Sequence, residues 1–279
     1  MSLTGKALFV IERNLDCDLS LGEIAGRCGV SRFHLAHAFG EATGLSVMEY
    51  VRARRLTEAA YALAGGAGDI LSVALDRGYG SHEAFGRAFK SHFGRTPDEV
   101  RKSESVAGLN LTDAIAHREP KRTALGEPRI EKAGEMLFAG LKERVGYGAM
   151  QNIAGQWQRF MSGPYHGIEN RKPGIPVGIA ATAGGEGIDY VCAAEVTRFG
   201  AVPGGLVKVT LAPRTYAVFS HDAHIAKLRE TYDAIWNEWF ADAGRTPADA
   251  PGFERHNETF DPRTGEGGAC IWIPLEGGQ

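Results

Sequence analysis

The sequence predicts a multidomain chain: an all-α domain with two helix-turn-helix units, then an α+β domain of two pseudo-symmetric β-β-α-β-β halves. Three observations predict it. A pattern of small and apolar residues in the first hundred positions occurs twice at a nearly constant offset. The apolar period changes from helical to alternating after Arg129. The alternating part then runs twice through the same order of strands and helix.

Leu8, Val10, Ile11 and Leu15 give the first helix, Leu3 to Leu15, a face to pack on the first helix-turn-helix unit. That unit is LGEIAGRCGVSRFHLAHAFGEATG, with Ala25 and Gly29 where two helices cross closely and the chain reverses, and with Ser31 as the cap of the second helix. Ser46 to Leu63 reads as one long helix stopped by Gly65-Gly66. Eighteen helical residues span roughly 27 Å. Such a strut would let two recognition helices reach successive major grooves, about 34 Å apart, within a single chain. The second unit, Ile70 to Arg101, returns the pattern. Ala74 and Gly78 stand 49 residues after Ala25 and Gly29, and Phe89, Gly94 and Glu99 stand 50 after Phe39, Gly44 and Glu49, so one residue has been added in the second turn. Here Ser81 caps a helix that buries Phe85 and Phe89 and presents His82, Glu83, Arg87 and Lys90.

Ala74, Gly78-Tyr79, Phe85, Arg87, Phe89-Lys90, Gly94, Pro97 and Arg101 resemble the second helix-turn-helix of AraC-type transcription regulators. The resemblance implies double-stranded promoter DNA as partner, with RNA polymerase as a further one, in an activator or repressor. It places DNA contacts at Arg32, Phe33, Ala36 and His37 in the first unit, and at His82, Glu83, Ala84, Arg87 and Lys90 in the second. Ala36 and His37 depart from the family, which has a long polar residue and an Arg there. His makes one bond where Arg makes two to guanine, so the first helix would read shape and backbone more than base edges. His34 is open between a structural role and a surface one.

Residues 103–128 read as a linker, in which LNLTDAIA would form a short helical turn; the domains expected are 1–104 and 125–279, joined by 105–124. In the second domain, RIEKAGEMLFAGLKERVGY alternates like paired strands and residues 149–161 are helical. VGIAATAG and IDYVCAAEVT would make a hairpin across Gly184–Gly187. LVKVTLAPRTYAVFSH, a helix from His224 to Ala241, GFERHNETF and GACIWIPLE repeat the order. TYAVFSHDAHIAKLRETYDAIWNEWF and the last two strands resemble the GyrI-like effector-binding domain. That implies an aromatic cleft between the halves and an acid, Glu254, facing an organic effector, aromatic or cationic. Trp272, Trp157, Tyr147, Tyr190 and Phe160 are the further candidates. Trp157, Trp236 and Trp239 suit a plain core as well as a pocket. Where the family often has Tyr, two residues after the acid, this chain has His256.

Composition is that of a globular chain, 43% apolar and 23% charged. No apolar run approaches the ~20 residues of a membrane span, and the start lacks the order of a signal peptide, so the protein is read as cytoplasmic. Lys and Arg balance Asp and Glu, 13 against 13, over residues 1–104. Positive charge must therefore be local, from Arg52, Arg54 and Arg55 on the strut and Arg87, Lys90, Arg95, Arg101 and Lys102 beyond it, and DNA affinity strongly salt-dependent. Cys17, Cys28, Cys192 and Cys270 are scattered and read as buried free thiols. No nucleophile elbow, zinc helix, Walker loop or dinucleotide fingerprint is present, and no catalytic residue, metal or cofactor is expected. Two other readings stay open: Glu254 as the general base of a small-molecule hydrolase, and the second domain as a protein-interaction module.

Overall fold

The computed structural model describes residues 1–116, 125–149, 152–182 and 187–277. The chain forms two compact units. One holds Leu3–Arg32 with the described residues from Val47 to 116, and the other holds Phe33–Ser46 with those from 125 onward. The helix that comes after the first turn thus belongs to the second unit by packing, although in sequence it lies inside the first domain.

In the first unit, α1 is Leu3–Glu12 and α2 is Leu21–Cys28. Ser20 starts α2 with a capping box: its hydroxyl accepts from the Glu23 N–H, and the Glu23 carboxylate accepts from the Ser20 N–H at 2.8 Å. Gly29 ends it at φ 76°, a left-handed turn that glycine adopts without strain. The strut, α4, is Val47–Ala64. Asp69 caps α5, Ile70–Asp76, and Gly78 turns the chain at φ 75°, repeating the geometry of Gly29. Ser81 accepts from the Ala84 N–H at 3.1 Å and starts α6, His82–Phe93, and α7 is Pro97–Ser103. Leu56, Ala59 and Leu63 of α4 meet Val73, Ala74, Phe85, Phe89 and Val100 in one core.

Two strut arginines are spent inside this unit rather than on an outer face. Arg54 is buried, donating to Glu12 at 3.0 Å, to Glu58 at 2.9 Å and to the Thr112 carbonyl at 2.9 Å. Arg55 donates to the Leu15 carbonyl at 2.9 Å and to the Cys17 carbonyl, and lies beneath Gly78, where a Cβ would come within 3.0 Å of it. Residues 109–116 form no helical turn. Leu109 and Leu111 pack on the α4–α6 core, and the N–H groups of Thr112 and Ile115 donate to Thr57 and Tyr50. Those side-chain acceptors on α4 hold the strap open where a turn would have satisfied the backbone internally. Cys17 is exposed, against the expected burial, while Cys192 is buried.

The second unit carries an eight-stranded antiparallel sheet in the order β1-β6-β8-β7-β3-β4-β2-β5. The strands are β1 Arg129–Ala133, β2 Met136–Val145, β3 Val177–Thr182, β4 Ile188–Val196, β5 Val207–Leu211, β6 Arg214–His221, β7 Gly252–His256 and β8 Ala269–Pro274. Each half reads β-β-α-β-β, as the sequence predicts, but β1 and β2 do not pair with each other. β1 joins β6 of the other half, and β5 joins β2, so the halves exchange their first strands. β3 and β4 pair as expected; residues 183–186 of the turn expected between them lie outside the described residues. The symmetric centre of the sheet is the β3–β7 pair.

α8, Asn152–Ser162, packs on β2 and β4. Its counterpart is broken: α9 is Leu228–Ala234, a π-helical turn continues over Ile235–Trp239, and α10 is Phe240–Asp242. α3, Arg32–Thr43, completes the unit and is buried at every position from Phe33 to Glu41. A helix buried all round is a core helix.

Candidate functional site: an acid between two tyrosines, and a basic helix

The outward face of α6 is what the repeat predicts. Phe85 and Phe89 are fully buried, while His82, Glu83, Arg87 and Lys90 are exposed and Ala84 is half-buried. His82, Glu83, Arg87 and Lys90 border, with Thr96 and Asp98, an open groove of about 410 Å³. Its lining sets Arg87 and Lys90, the charges a phosphate backbone pairs with, beside Glu83 and Asp98, which oppose it. Arg95 and Arg101 are partly engaged elsewhere, Arg95 with Ser103 at 3.0 Å and Arg101 with the Gly68 carbonyl at 2.9 Å.

The repeat breaks down at α3. Arg32 is exposed, but Phe33, Ala36 and His37 are buried and offer no side chain to a groove in this conformation. His37 stacks on Trp236 with ring centroids 4.6 Å apart and planes 11° apart, and Phe33 meets the same indole edge-on. His34 is structural, its Nε2 2.9 Å from the Trp236 carbonyl. Burial holds His37 neutral, pushing its pKa down to about 3. The residues that made the first helix look weak for base reading, Ala36 and His37, are those suited to a buried seat.

Alternation along β7 puts Glu254 and His256 on one side of the sheet and Phe253 on the other. Glu254 is 7% exposed, and both its oxygens are held: Tyr190 donates to Oε2 at 2.9 Å and Tyr232 to Oε1 at 2.9 Å. Burial raises the Glu254 pKa, and the two hydroxyls, which bond best to a carboxylate, oppose that rise. Burial likewise drives both tyrosines up, with the neighbouring acid adding to it. Tyr147, Phe160 and Tyr190 lie in one cluster with Trp157 against it. Trp157 turns its edge to Phe160 and to His256, each at 6.1 Å. Five of the six expected effector residues are therefore brought to the same side of the sheet.

Trp272 is not among them. The β7–β8 register sets it opposite Phe253, on which it stacks at 5.0 Å, and it belongs to the core on the other face with Phe138 and Tyr216. Reading β8 by its own alternation leaves two choices of face, and only the register with β7 decides between them. Two neighbours of Glu254 were not found from the sequence. Tyr232 sits on α9, where an isolated tyrosine in a helical stripe has no distinguishing mark. Glu41 of α3 is 6% exposed and within electrostatic reach of Glu254. No local pattern links residues so far apart.

Two family models match the chain. Residues 24–103 match a helix-turn-helix domain model and residues 126–276 match the GyrI-like small molecule binding domain. Over 104 residues the chain is 42% identical to transcriptional regulator Rob of Salmonella typhimurium, an overlap of 37% of this chain and 36% of that protein. Over 107 residues it is 37% identical to multiple antibiotic resistance protein MarA of Escherichia coli, covering 38% of this chain and 84% of MarA. The chain thus spans little more than a third of the length of Rob. Among solved structures it is similar to SAV2435 bound to tetraphenylphosphonium, at 22% identity and a TM-score of 0.47, over 55% of this chain and 95% of that one. No helix among the described residues is long and apolar enough to cross a membrane.

Proposed function

Because the chain belongs to the GyrI-like small molecule binding family and carries an AraC-type helix-turn-helix domain ahead of it, we propose that it is a DNA-binding transcription regulator whose second domain senses an organic cation. The observation that carries the ligand class is Glu254, buried and held by two tyrosine hydroxyls beside an aromatic wall. A delocalised aromatic cation gains twice there, from the carboxylate and from the ring faces, and being weakly hydrated it loses little on leaving water. A small, strongly hydrated cation would not recover its desolvation from aromatic rings.

DNA is the second ligand, and the exposed polar face of α6 supports that assignment. RNA polymerase is the natural third partner of a regulator that acts at promoters. Sensing is favoured over hydrolysis because each Glu254 oxygen already accepts a tyrosine hydroxyl, an arrangement that stabilises a fixed charge rather than a mobile base.

Titration calorimetry with tetraphenylphosphonium, against the neutral triphenylphosphine oxide, tests the reading. The wild-type chain should bind the cation and not the oxide, and Glu254→Gln should weaken the cation by about tenfold or more, ~1.4 kcal/mol. Equal binding of both compounds, or equal binding by both proteins, would remove the carboxylate from the site.

A further inference from the structure

α3 fits the second unit as a ligand fits a site, and its contacts end at the effector wall. Gly40 lies so close to Tyr147 that a Cβ would fall 2.3 Å from the ring, and a Cβ on Gly148 would come 3.0 Å from the Gly44 carbonyl. Tyr147 shares a buried cluster with Tyr190, whose hydroxyl donates to Glu254. One residue further on, Glu41 is buried in electrostatic contact with Glu254 itself, and Arg229 of α9 donates to the Glu41 carbonyl at 2.8 Å. Asn237 donates to the Ala38 carbonyl at 2.9 Å. Helix α3 is therefore held by carbonyl contacts at its last turns and by ring contacts at its first.

The seat is also imperfect. His37 Nε2 and Trp236 Nε1 are buried without hydrogen-bond partners among the described residues, and an unmet buried polar atom destabilises the seat that buries it. Glu41 brings a second acid beside Glu254 and Asp233, with Arg229 as the opposing charge. A helix docked this way has something to gain by leaving, and it presses on Tyr147 in the cluster that holds Tyr190 beside Glu254.

Resting on the cationic-site reading, we propose that α3 is a built-in competitor of the effector. In the closed form its Gly40–Glu41 turn holds Tyr147 against the cluster of Tyr190, the residue that reaches Glu254, and so keeps that side of the site shut. An organic cation that lifts Tyr147 breaks the Gly40 contact and weakens the seat of α3, whose remaining carbonyl and ring ties to Arg229, Asn237 and Trp236 then give way. Release exposes Phe33, Ala36 and His37, the face of the first helix-turn-helix that the sequence assigns to DNA. Effector affinity and DNA affinity are then coupled with the same free energy in both directions.

Gly40→Ala tests this in the full chain. Ala favours a helix over Gly, so the substitution strengthens α3 itself while its methyl group collides with Tyr147. Asn237→Ala removes a second, separate tie to α3, and agreement between the two variants excludes a folding artefact. Both should bind tetraphenylphosphonium more tightly than wild type, about tenfold if nine-tenths of the molecules are closed at rest. In wild type, the cation should lower the hydrogen-exchange protection of α3 amides and raise affinity for a duplex selected by the protein from a random pool. If neither variant changes the cation affinity and the cation leaves α3 protection unchanged, while Glu254→Gln still weakens binding, the site stands and the competition is wrong. If no form binds the cation, both the site and the competition fall.

Discussion

Gly178 of β3 lies opposite Glu254 of β7 in the strand pair at the centre of the sheet, and the Tyr190 hydroxyl occupies the space a side chain at Gly178 would take. A Cβ there would sit 1.9 Å from that hydroxyl and 3.1 Å from Glu254 Oε2. The acid is thus placed where the two halves of the domain meet, and the glycine across from it is what lets the first half reach over with Tyr190. β4 of the first half and β8 of the second flank this central pair, so the site depends on both halves being in register.

Gly178→Ala is the smallest change that breaks this relationship. Tyr190 must swing away, leaving Glu254 buried with one donor instead of two. Overpacking and the lost bond together should destabilise the second unit by about 1–3 kcal/mol and weaken binding of tetraphenylphosphonium. Thermal unfolding and calorimetry read both effects. An unchanged midpoint with unchanged affinity would mean that Tyr190 is not needed at the acid.

Arg87 and Arg101 should separate contact with DNA from support of the fold. Arg87 is exposed on α6, while Arg101 is tied to Asp98 at 2.8 Å and to the Gly68 carbonyl. Arg87→Ala should lower affinity for the selected duplex and reduce the slope of log affinity against log salt by about one. Arg101→Ala should lower thermal stability and leave that slope unchanged. Fluorescence anisotropy over a salt series measures it. An Arg87→Ala slope equal to wild type would take that side chain off the phosphates.

Much of this arrangement could be read from residues alone, and the reason is local. Gly29 and Gly78 at positive φ, the Ser20 and Ser81 caps and the paired phenylalanines of α6 are short-range signals that each specify their own turn or helix. Strand positions and the side of Glu254 came from alternation. What could not be read is pairing at a distance. Trp272 needed the β7–β8 register, the exchange of β1 and β5 needed the whole sheet, and the burial of α3 needed Trp236, some two hundred residues away. The strut arginines misled for a related reason. A charged residue on a helix is ordinarily solvated, and only the return of residues 109–116 along α4 shows that Arg54 has a buried task.

That task makes Arg54 a stability residue. Arg54→Ala leaves Glu12 and Glu58 without their shared partner and the Thr112 carbonyl without a donor. Because both acids keep some contact with water, the cost should be about 2–4 kcal/mol, below that of a fully buried pair. Arg54→Lys should recover only part, since one ammonium group cannot span three acceptors held by a planar fork. Urea unfolding monitored by helical circular dichroism gives the values. A loss below about 0.5 kcal/mol, typical of a surface change, would show the network to be ornamental.

The docking of α3 should depend on pH in a direction set by Glu41. Burial pushes this carboxyl up to about 8, against the Arg229 charge, whereas a released, hydrated Glu titrates near ~4.3. Between those values the docked form binds more protons than the free one, so docking is fully favoured below the lower pKa and weakens as pH rises to the higher one. His37 acts in the opposite sense. Its docked pKa is pushed down to about 3, so its contribution is lost as pH falls from ~6.5, and the buried His34 shifts the same way. Burial also raises Glu254 and Asp233, the two acids whose charges act on Glu41. Above pH ~6.5 the histidines are neutral in either form and the acids alone decide. Protection factors of α3 amides, already corrected for intrinsic exchange, should therefore fall from about pH 6.8 to about pH 8, by no more than about 1.4 kcal/mol per pH unit for one group. Glu41→Gln should flatten that fall and leave α3 better protected than wild type at the upper end of the range. A slope as steep in the variant as in wild type would assign the dependence to Glu254 and Asp233 and remove Glu41 from the balance.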